Sequence, residues 1–464
     1  MEIGNALKLF DTKKVFFYLL TLVIIIAVGL WLYLLFESYP PSIQIKLKSK
    51  YVGAQSFDIE ISDRGRGLKR ISISLITRGG EQPIVAEEYD LPIKDKTITV
   101  ALSRANLNIK EGPAILRVSA TDRSYQKFFS GNETTIEKKV IVDLTPPTIQ
   151  LIRGDRYINF GGSGLVLYRT SKDSIKSGVR IGKYFFPGYK GQFVDPNINM
   201  VFFAHPYDVP PEEKPTLVTT DAAGNPRQAP LSYALRNVRR KKRTIRITDS
   251  YIKNKVAPLL NDVSIRQGNL ESVFVRVNRH MRNQNESTIR KACQKSVNRM
   301  LWNEAFHQLS NSKVEANFAD HRTYVYKGKT IDQAFHLGYD LAVTRNYPVE
   351  AANNGVIIFT EDLGIYGNTV IIDHGLGIFT MYSHLSSIAV KKGENVKRKQ
   401  NIGRTGETGL AIGDHLHYAT LIHGVPVLPL EWWDSKWVKE NILSKIPKKL
   451  STDKLRFLPR VEAR

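Results

Sequence analysis

Residues 15–36 contain no charged side chain, and Leu, Ile, Val and Phe dominate the stretch. An α-helix rises about 1.5 Å per residue, so roughly twenty such residues cross the hydrocarbon core of a bilayer. No small-x-small cleavage pattern follows, because the next residues are Glu37-Ser38-Tyr39-Pro40-Pro41. The sequence therefore predicts an uncleaved transmembrane signal anchor over residues 15–36, and a buried core helix is the alternative.

The charges that flank this span indicate its orientation. Lys8, Lys13 and Lys14 precede it, and Glu37 is the first charge after it. Because loops rich in Lys and Arg stay in the cytoplasm, residues 1–14 are predicted to be a cytoplasmic tail. The bias is modest, since three lysines follow between residues 46 and 50. We expect a single-pass protein of the inner (cytoplasmic) membrane, with its N-terminus inside and its body in the periplasm or outside the cell.

The net charge is +23, from 67 basic and 44 acidic residues among 464. Such a charge favours an anionic partner, and nucleic acid, anionic lipid and a carboxylate-rich polymer would all fit. A chain of this length suggests about three domains. Cys293 is the single cysteine, which rules out an intrachain disulfide. Its neighbours are typical of a helix, and we predict a half-buried structural thiol.

Short alternating apolar runs follow Pro41, at 71–75, 97–102 and 115–120. Such period-two runs, separated by glycine-rich turns, predict a β-sandwich over residues 42–146. The stretch also resembles the immunoglobulin-like (Ig-like) modules of bacterial exported proteins. The residues that carry this resemblance are Ser62-Asp63 through Gly67-Leu68, Ala120-Thr121-Asp122, and Asp143-Leu144-Thr145-Pro146-Pro147-Thr148.

The next region, 147–248, resembles a second, more irregular module of the same kind, because residues 220–225 echo the Ala120-Thr121-Asp122 motif. The basic run at 239–243 matches a nucleic-acid pattern but leads directly into an alternating strand. We favour a solvated strand edge whose charges prevent pairing, with contact to an anionic polymer as the second interpretation. Residues 249–323 show three- and four-residue apolar spacing, which predicts a helical linker or cover.

Two histidine patterns stand out in the C-terminal third. In an extended His336-Leu337-Gly338-Tyr339-Asp340, the imidazole and the carboxylate face the same way, and Gly338 leaves space between them. In a strand, His415-Leu416-His417 projects both imidazoles onto one face. Three nitrogen or oxygen ligands with one open position make up a catalytic zinc site. Spacing alone leaves open which of His415 and His417 is a ligand.

A third motif, Tyr382-Ser383-His384-Leu385, lies between these two patterns. Together with them it gives residues 324–434 the features of a known family, the lysostaphin-type (LytM-domain) zinc metallopeptidases, which this region resembles. The further matching motifs are Pro348-Val349 with Ala351, Tyr366-Gly367-Asn368, Asp373-His374-Gly375, Gly393 through Gln400 to Ile402-Gly403, Thr405-Gly406 with Thr408-Gly409, and Gly413 before the histidine pair.

The resemblance implies that His336, Asp340 and His417 hold Zn²⁺, and that His384 and His415 act in acid–base catalysis. Which of these two takes and which gives the proton stays open. It also implies a small antiparallel β-sheet core with an open groove for an extended peptide. The expected fold is therefore mainly β: one transmembrane helix, two Ig-like β-sandwich modules, a helical segment and this metallopeptidase core.

The expected function is a zinc endopeptidase that hydrolyses the cross-links or stem peptides of bacterial peptidoglycan. One alternative is a non-enzymatic regulator that activates a separate wall amidase, but all five site positions are filled here. The core is also similar to lipoyl- or biotinyl-carrier domains, which would need a lysine at a hairpin tip. Nucleic-acid binding would explain the charge but neither the apolar span nor the histidines, so no nucleic acid is expected. Protein partners stay open.

The remaining candidates receive structural interpretations. His374 follows a strand and is predicted to be structural, and His423 lies in a turn and is predicted to be solvated. Asp373 and Asp414 are equal candidates for a partner that orients a metal ligand. Residues 435–464 are predicted to form a C-terminal helix and a basic tail.

Overall fold

A computed structural model describes residues 12–36, 38–102, 109–238, 240–261 and 269–446. The predicted cytoplasmic tail up to residue 11 and the basic tail from residue 447 lie outside the described residues, as do Glu37 and Arg239. The described chain is mainly β with one long apolar helix near the N-terminus, which confirms the predicted fold class. It forms two compact units, residues 1–146 with 220–226, and residues 147–219 with 227–464.

The N-terminal helix spans Thr12–Leu35. Its segment Lys14–Tyr33 has a mean hydropathy of 2.7, and none of this segment is buried inside the protein. Ile25, for example, is 62% exposed. A core helix of a soluble protein would bury such side chains, so this exposure is typical of a membrane anchor or a signal sequence.

The first unit contains two sheets that share one hydrophobic core. Ile71, Ile73 and Leu75 are fully buried on one face of β4, as their alternation predicts. The sheet orders are β1-β3-β6 and β2-β8-β7-β4-β5. The Ig-like assignment stays a prediction. The strands are β1 (Ser42–Lys46), β2 (Tyr51–Val52), β3 (Phe57–Ser62), β4 (Leu68–Thr77), β5 (Gly80–Ile93), β6 (Asp95–Val100), β7 (Gly112–Asp122) and β8 (Glu133–Val142), with a short turn of helix at Gln126–Phe129.

The second β region begins at residue 147 and contains nine strands. Its sheets have the orders β14-β11-β9, β13-β12-β15-β16 and β10-β17, and the last pair is parallel. The strands are β9 (Ile149–Arg153), β10 (Tyr157–Asn159), β11 (Ser163–Thr170), β12 (Ser174–Ile181), β13 (Tyr184–Pro187), β14 (Ile198–Ala204), β15 (Thr216–Asp221), β16 (Pro226–Pro230) and β17 (Ala234–Arg236).

The predicted helical segment is shorter than residues 249–323. Its last helix ends at Ala292, and strands occupy Lys313–Ala316 and His321–Tyr326. Between them the chain is irregular, because Trp302 and Phe306 are buried in the core, where their packing overrides helix propensity. The helical stretches are Asp249–Tyr251, Ile252–Val256, Ala257–Leu259, Leu270–Val275, Arg276–Met281 and Arg282–Ala292.

The C-terminal region is built on one eight-stranded sheet, in the order β19-β22-β30-β26-β25-β24-β28 with β31 paired to β30. Two smaller sheets have the orders β18-β20-β21 and β23-β29-β27. The strands are β18 (Lys242–Ile247), β19 (Lys313–Ala316), β20 (His321–Tyr326), β21 (Lys329–Phe335), β22 (Tyr339–Ala342), β23 (Pro348–Glu350), β24 (Gly355–Asp362), β25 (Asn368–Asp373), β26 (Ile378–Ser383), β27 (Ser387–Ile388), β28 (Asn395–Val396), β29 (Asn401–Arg404), β30 (Leu416–Ile422) and β31 (Val425–Val427). Helical turns follow at Gly364–Tyr366, Pro429–Trp433, Ser435–Asn441 and Leu443–Lys445.

The second β region and the C-terminal region share one hydrophobic core. The ring of Phe202 in β14 lies 6.1 Å from that of Trp432 and 6.5 Å from that of Trp302, and the two tryptophans are 5.6 Å apart. All three side chains are at most 2% exposed. The sequence predicts a separate module over 147–248. Residues 147–219 and the described residues of 227–248 lie in one compact unit with the C-terminal region, and residues 220–226 lie in the first unit.

Glu431 connects the same two regions by buried hydrogen bonds. Its carboxylate accepts from the Asn159 side chain at 2.8 Å and from both the backbone N–H and the hydroxyl of Ser163 at 2.9 Å. Burial nevertheless raises the pKa of Glu431 to about 7, against these hydrogen bonds, which lower it. The ionised form is thus costly at neutral pH.

We predict that Glu431 makes the stability of this unit depend on pH. Its folded pKa of about 7 exceeds the ordinary value of 4.5, so its contribution is fully present below pH 4.5 and is lost as the pH rises through 7. Chemical unfolding of the full chain in detergent between pH 5 and 8 measures this, with a slope of at most about 1.4 kcal/mol per pH unit. Glu431→Gln should flatten the profile, whereas Glu440→Gln, an exposed control, should not. An unchanged slope in Glu431→Gln would refute the assignment.

Candidate metal centre

Strand pairing brings the three predicted ligands together. His336 follows β21, Asp340 lies in β22, and His417 lies in β30. In the antiparallel ladder between β22 and β30, Asp340 is directly opposite His417. Residues opposite each other in such a ladder project to the same face, with Cβ atoms about 5 Å apart. The register therefore points the carboxylate and the imidazole at one another.

The ligand atoms of these residues form a tight triangle. His336 Nε2 and His417 Nδ1 each lie 2.9 Å from Asp340 Oδ1, and the two nitrogens are 3.1 Å apart. His336 and His417 are 4% exposed. Two imidazole nitrogens and one carboxylate oxygen therefore converge, with both histidines buried and Asp340 partly exposed.

Neighbouring groups fix the orientation of two of these side chains. His336 Nδ1 lies 2.9 Å from the carbonyl oxygen of Asn317, which can only accept, so Nδ1 carries the proton and the Nε2 lone pair faces Asp340. Arg322 donates from Nη2 to Asp340 Oδ2 at 3.0 Å, which leaves Oδ1 for the centre. Groups of this kind commonly orient metal ligands in metalloenzymes.

Because Gly338 has no side chain, it leaves room for the imidazole of His417. A Cβ atom at position 338 would lie 2.7 Å from His417 Nε2 and 2.5 Å from the carbonyl oxygen of Tyr418. Any larger residue would force the ring out of its position. His417 Nε2 is itself buried and has no hydrogen-bond partner among the described residues.

The donor set fits a divalent metal ion. When the His336 ring carries its single proton on Nδ1, its Nε2 lone pair faces the Asp340 carboxylate, which is unfavourable unless a cation or a proton lies between them. Two nitrogens and one carboxylate oxygen are ligands that zinc and related metals take. One ligand atom each from His336, Asp340 and His417 lies within 4.8 Å of the other two, close enough for one ion to contact all three.

Electrostatics in the cluster favour the protonation states that metal binding needs. Burial acts to raise the pKa of Asp340, but His336, His415 and His417 outweigh it and hold the pKa well below its usual range. Burial lowers the pKa of His417 to about 4, although Asp340 acts in the opposite direction. The carboxylate is thus ionised and the imidazole neutral at neutral pH.

His384 and His415 lie beside the triangle, and in each ring Nδ1 faces a backbone carbonyl. His384 Nδ1 lies 2.8 Å from the Thr408 carbonyl oxygen, and His415 Nδ1 lies 2.9 Å from that of Gly413. Both Nδ1 atoms therefore donate, and both Nε2 atoms are left to accept. The two ring centroids are 4.9 Å apart, and His415 Nε2 is 3.6 Å from Asp340 Oδ1.

The two histidines differ in their affinity for a proton. Burial, with added repulsion from His415 and His417, holds the pKa of His384 well below its usual range. Burial also lowers the pKa of His415, but the Asp340 carboxylate more than compensates and raises it overall. His384 has a φ of +63°, a left-handed conformation that is rare outside glycine, and its N–H donates to the Tyr366 carbonyl at 2.8 Å.

An open cleft of about 580 Å³ leads to these residues. Its floor includes Tyr366, whose ring centroid lies 5.4 Å from that of His417. Three arginines also line it, Arg243, Arg282 and Arg322. All five predicted site residues line this one cleft, so the structure brings the whole predicted set together.

The other candidates lie away from the triangle. Asp373 accepts from Ser296 and from the Val297 N–H, and Asp414 accepts from the Asn346 N–H, so neither contacts a predicted ligand. His374 is fully buried, with its ring nitrogens 2.7 Å from the Asn354 carbonyl and the Thr380 hydroxyl, as expected of a structural residue.

Two predictions about surroundings are wrong. His423 is not solvated: burial lowers its pKa to about 4, and Nε2 lies 3.2 Å from the Tyr189 hydroxyl. Cys293 is fully rather than half buried, and burial raises the pKa of its thiol well above the usual range. Cys293 directly follows the helix Arg282–Ala292, and Gly424, next to His423, packs against Arg290 of that helix. Local sequence does not reveal these tertiary contacts.

Comparison with known proteins finds a family whose sequence model matches the segment that carries the five site residues. The family model for Peptidase family M23 matches residues 334–429, which include all five predicted site residues. Residues 334–429 form an M23 peptidase domain. This confirms the resemblance drawn from the motifs, and the M23 domain implies a metal cofactor.

Relatives of known name align with the same domain. Peptidoglycan DD-endopeptidase ShyA of Vibrio cholerae is 37% identical over 142 residues, which are 30% of this chain and 30% of that protein. DD-carboxypeptidase/endopeptidase Mpg of Neisseria meningitidis is 44% identical over 95 residues, which are 20% of this chain and 22% of that protein. The chain therefore spans about a third or less of the length of the relatives it matches.

Solved structures are similar to between about a quarter and three fifths of this chain. A peptidase M23 structure from Pseudomonas aeruginosa covers 59% of this chain and 94% of its own, with 18% identity and a TM-score of 0.37. The catalytic domain of lysostaphin from Staphylococcus simulans covers 26% of this chain and 92% of its own, with 26% identity and a TM-score of 0.23.

Sequence motifs missed the residues that support the M23 domain from outside it. Asn317 acts through its backbone carbonyl, which any residue could supply, so no sequence signal marks it. Arg282 and Arg322 reach the cleft through tertiary packing of the helix Arg282–Ala292 and of β20. The signal that could have indicated them is the net charge of +23, but it gives no positions.

We predict that His336→Ala and His417→Ala abolish metal binding by the purified full chain, because each removes one of three converging ligand atoms. Metal content after dialysis, measured by mass spectrometry, checks this. His280→Ala, which removes an exposed histidine, serves as the control and should retain the metal of the wild type. Stoichiometric metal in either ligand variant would contradict the assignment.

We also predict that Arg322→Gln weakens metal affinity about tenfold while the stoichiometry is unchanged. The variant leaves Asp340 Oδ2 without its charged donor and so loosens the ligand, and loss of such supporting contacts costs about 10- to 100-fold in affinity. Competition with a chromophoric chelator measures the affinity. An affinity equal to that of the wild type would show that Arg322 does not support the site.

Proposed function

We propose that the chain is a membrane-anchored zinc endopeptidase that hydrolyses peptide cross-links or stem peptides of bacterial peptidoglycan. The observation that carries this proposal is the triangle of His336 Nε2, Asp340 Oδ1 and His417 Nδ1 beside two further histidines, His384 and His415, whose Nδ1 atoms donate to backbone carbonyls. A structural metal site would be closed by a fourth protein ligand, whereas this one opens onto a cleft.

Zinc is the metal that the donor set favours. His336, Asp340 and His417 would hold it, with Arg322 and the Asn317 carbonyl fixing two of the three ligands. When bound, zinc supplies Lewis-acid chemistry at a peptide carbonyl and makes a neighbouring water more acidic.

His384 and His415 would move protons at their Nε2 atoms. The lowered pKa of His384 keeps its ring neutral, which suits a group that accepts a proton from water. The pKa of His415 is raised by Asp340, so its ring retains a proton more readily, which suits donation to the leaving amine or to the developing oxyanion. Backbone carbonyls hold both rings in the required tautomer.

The substrate class is inferred from the relatives and from the shape of the site. The relatives from Vibrio cholerae and Neisseria meningitidis are named as a peptidoglycan DD-endopeptidase and a DD-carboxypeptidase/endopeptidase. An open cleft accepts an extended peptide, which a deep enclosed pocket would not. We therefore place this chain among enzymes that cut wall peptides.

We predict that His384→Ala loses cleavage of purified peptidoglycan by about 100- to 10,000-fold while its metal content is unchanged, because general acid–base groups contribute rate factors of this size. Mass spectrometry of released fragments measures cleavage and identifies the bond. His280→Ala is again the matched control.

Two outcomes would contradict the proposed zinc endopeptidase. Wild-type protein that holds its metal yet releases no fragment from any wall preparation would favour a regulator of a separate amidase. Undiminished cleavage by a chelator-treated, metal-free preparation would exclude the metallopeptidase mechanism. The five intact site positions favour catalysis over regulation.

The apolar helix is proposed to anchor the enzyme in the inner membrane with its M23 domain on the periplasmic or outer side. We predict that the full chain sediments with membranes and stays there in alkaline carbonate, and that deletion of residues 1–36 releases it. Added protease should digest the M23 domain after the outer face of the membrane is exposed. A soluble full-length chain, or one digested only after membrane lysis, would contradict this topology.

A further inference from the structure

Three arginines and one glutamate, Glu315, line the cleft from outside the M23 domain. Arg243 lies in β18, Arg282 begins the helix Arg282–Ala292, and Arg322 lies in β20. We call these three residues the cationic wall. All line the cleft that holds the five site residues, whereas the family match begins only at residue 334. The wall is therefore a property of this chain rather than of the matched segment.

Two members of the wall already have anionic partners. Arg243 Nε lies 3.3 Å from Oδ2 of the buried Asp320, and its Nη2 donates to the Glu315 carbonyl at 2.7 Å. Arg322 pairs with Asp340, whose other oxygen belongs to the metal triangle. The positive charges of Arg243 and Arg322 are thus partly neutralised by these carboxylates.

Arg282 has no anionic partner within ion-pair distance among the described residues. Its Nε donates to the Asn278 carbonyl at 3.1 Å, and its Nη2 donates to the Asn278 side-chain oxygen at 2.8 Å. Glu286, one turn further along the helix, lies 3.7 Å from Arg290 and attracts Arg282 from beyond ion-pair distance. A half-buried guanidinium that no carboxylate contacts is only partly compensated, and an anion from outside the chain would compensate it further.

Arg282 and Tyr366 line the same cleft as the five site residues. Arg322 lines it too, and the Tyr366 ring centroid lies 5.4 Å from that of His417. Two hydrogen bonds to Asn278 fix the head of Arg282 there and reduce the entropy lost when it binds a ligand.

We propose that Arg282, with Arg322 beside it, binds a free carboxylate of the wall peptide next to the bond that is cut, and so selects carboxylate-bearing peptides over amidated ones. This inference rests on the proposed function and names the substrate class of that site. A guanidinium with its face fixed pairs with a carboxylate through charge-assisted hydrogen bonds, and a carboxamide offers no such charge.

The test compares two cross-linked wall peptides that differ in one group beside the scissile bond, a free carboxylate in one and a carboxamide in the other. With the full chain in detergent, we expect kcat/KM to be about tenfold higher for the carboxylate peptide, since charge-assisted hydrogen bonds contribute on this scale. Arg282→Gln should lower kcat/KM for that peptide to the level of the carboxamide peptide, mainly through KM, and leave the carboxamide peptide unchanged.

Two further variants separate this role from a general effect of charge or stability. Arg282→Lys keeps the charge and should recover part of the preference. Lys291→Gln removes one exposed charge from the same helix away from the cleft and should leave both peptides unaffected. The thermal unfolding midpoint of each variant shows whether the fold is retained.

Equal cleavage of both peptides by the wild type would overturn the inference, as would a fall of the same factor for both in Arg282→Gln. If the wild type cleaves neither peptide, the proposed function fails, and calorimetric binding of the two peptides then decides the inference separately. Tighter binding of the carboxylate peptide that Arg282→Gln removes would support it, and equal binding would overturn it.

Discussion

The register between β22 and β30 is the constraint on which the site depends. Asp340 is opposite His417, and His415 lies two residues before His417 on the same face. A slip of one residue would turn either the carboxylate or both histidines to the other face of the sheet. The register is held because β30 lies between β22 and β26 in the large sheet and is buried along its whole length.

This arrangement concentrates polar groups that are costly to bury. The ionised Asp340 and the neutral imidazoles are retained because each has a specified partner: a backbone carbonyl for His336, a guanidinium for Asp340, and neighbouring ligand atoms for His417. Those partners come from the chain before residue 334 as well as from the M23 domain. The segment that precedes the domain thus completes the site electrostatically, and its arginines shape the cleft that a substrate would enter.

Strand alternation and residue type predicted that His336, Asp340 and the His415–His417 pair lie together, while His384 was predicted from the family resemblance. The structure brings all five to one cleft. The mainly β fold and the apolar N-terminal helix followed from periodicity in the same way. Sequence patterns did not predict the contacts that depend on tertiary packing. Apolar spacing after Ala292 predicted helix where burial of Trp302 and Phe306 imposes an irregular path, and no local pattern locates Arg282 or the Asn317 carbonyl beside the metal triangle.

The aromatic cluster of Phe202, Trp302 and Trp432 bears on how such a protein can change in evolution. Gene fusion shuffles segments most readily when each brings a complete core with it. Here a cut at either end of residues 334–429 would leave large aromatic surfaces without their partners and Glu431 without its donors. An exchange of peptidase domains that keeps these contacts must therefore carry along residues 147–219 and the described residues from 227 to 333, which belong to the same compact unit.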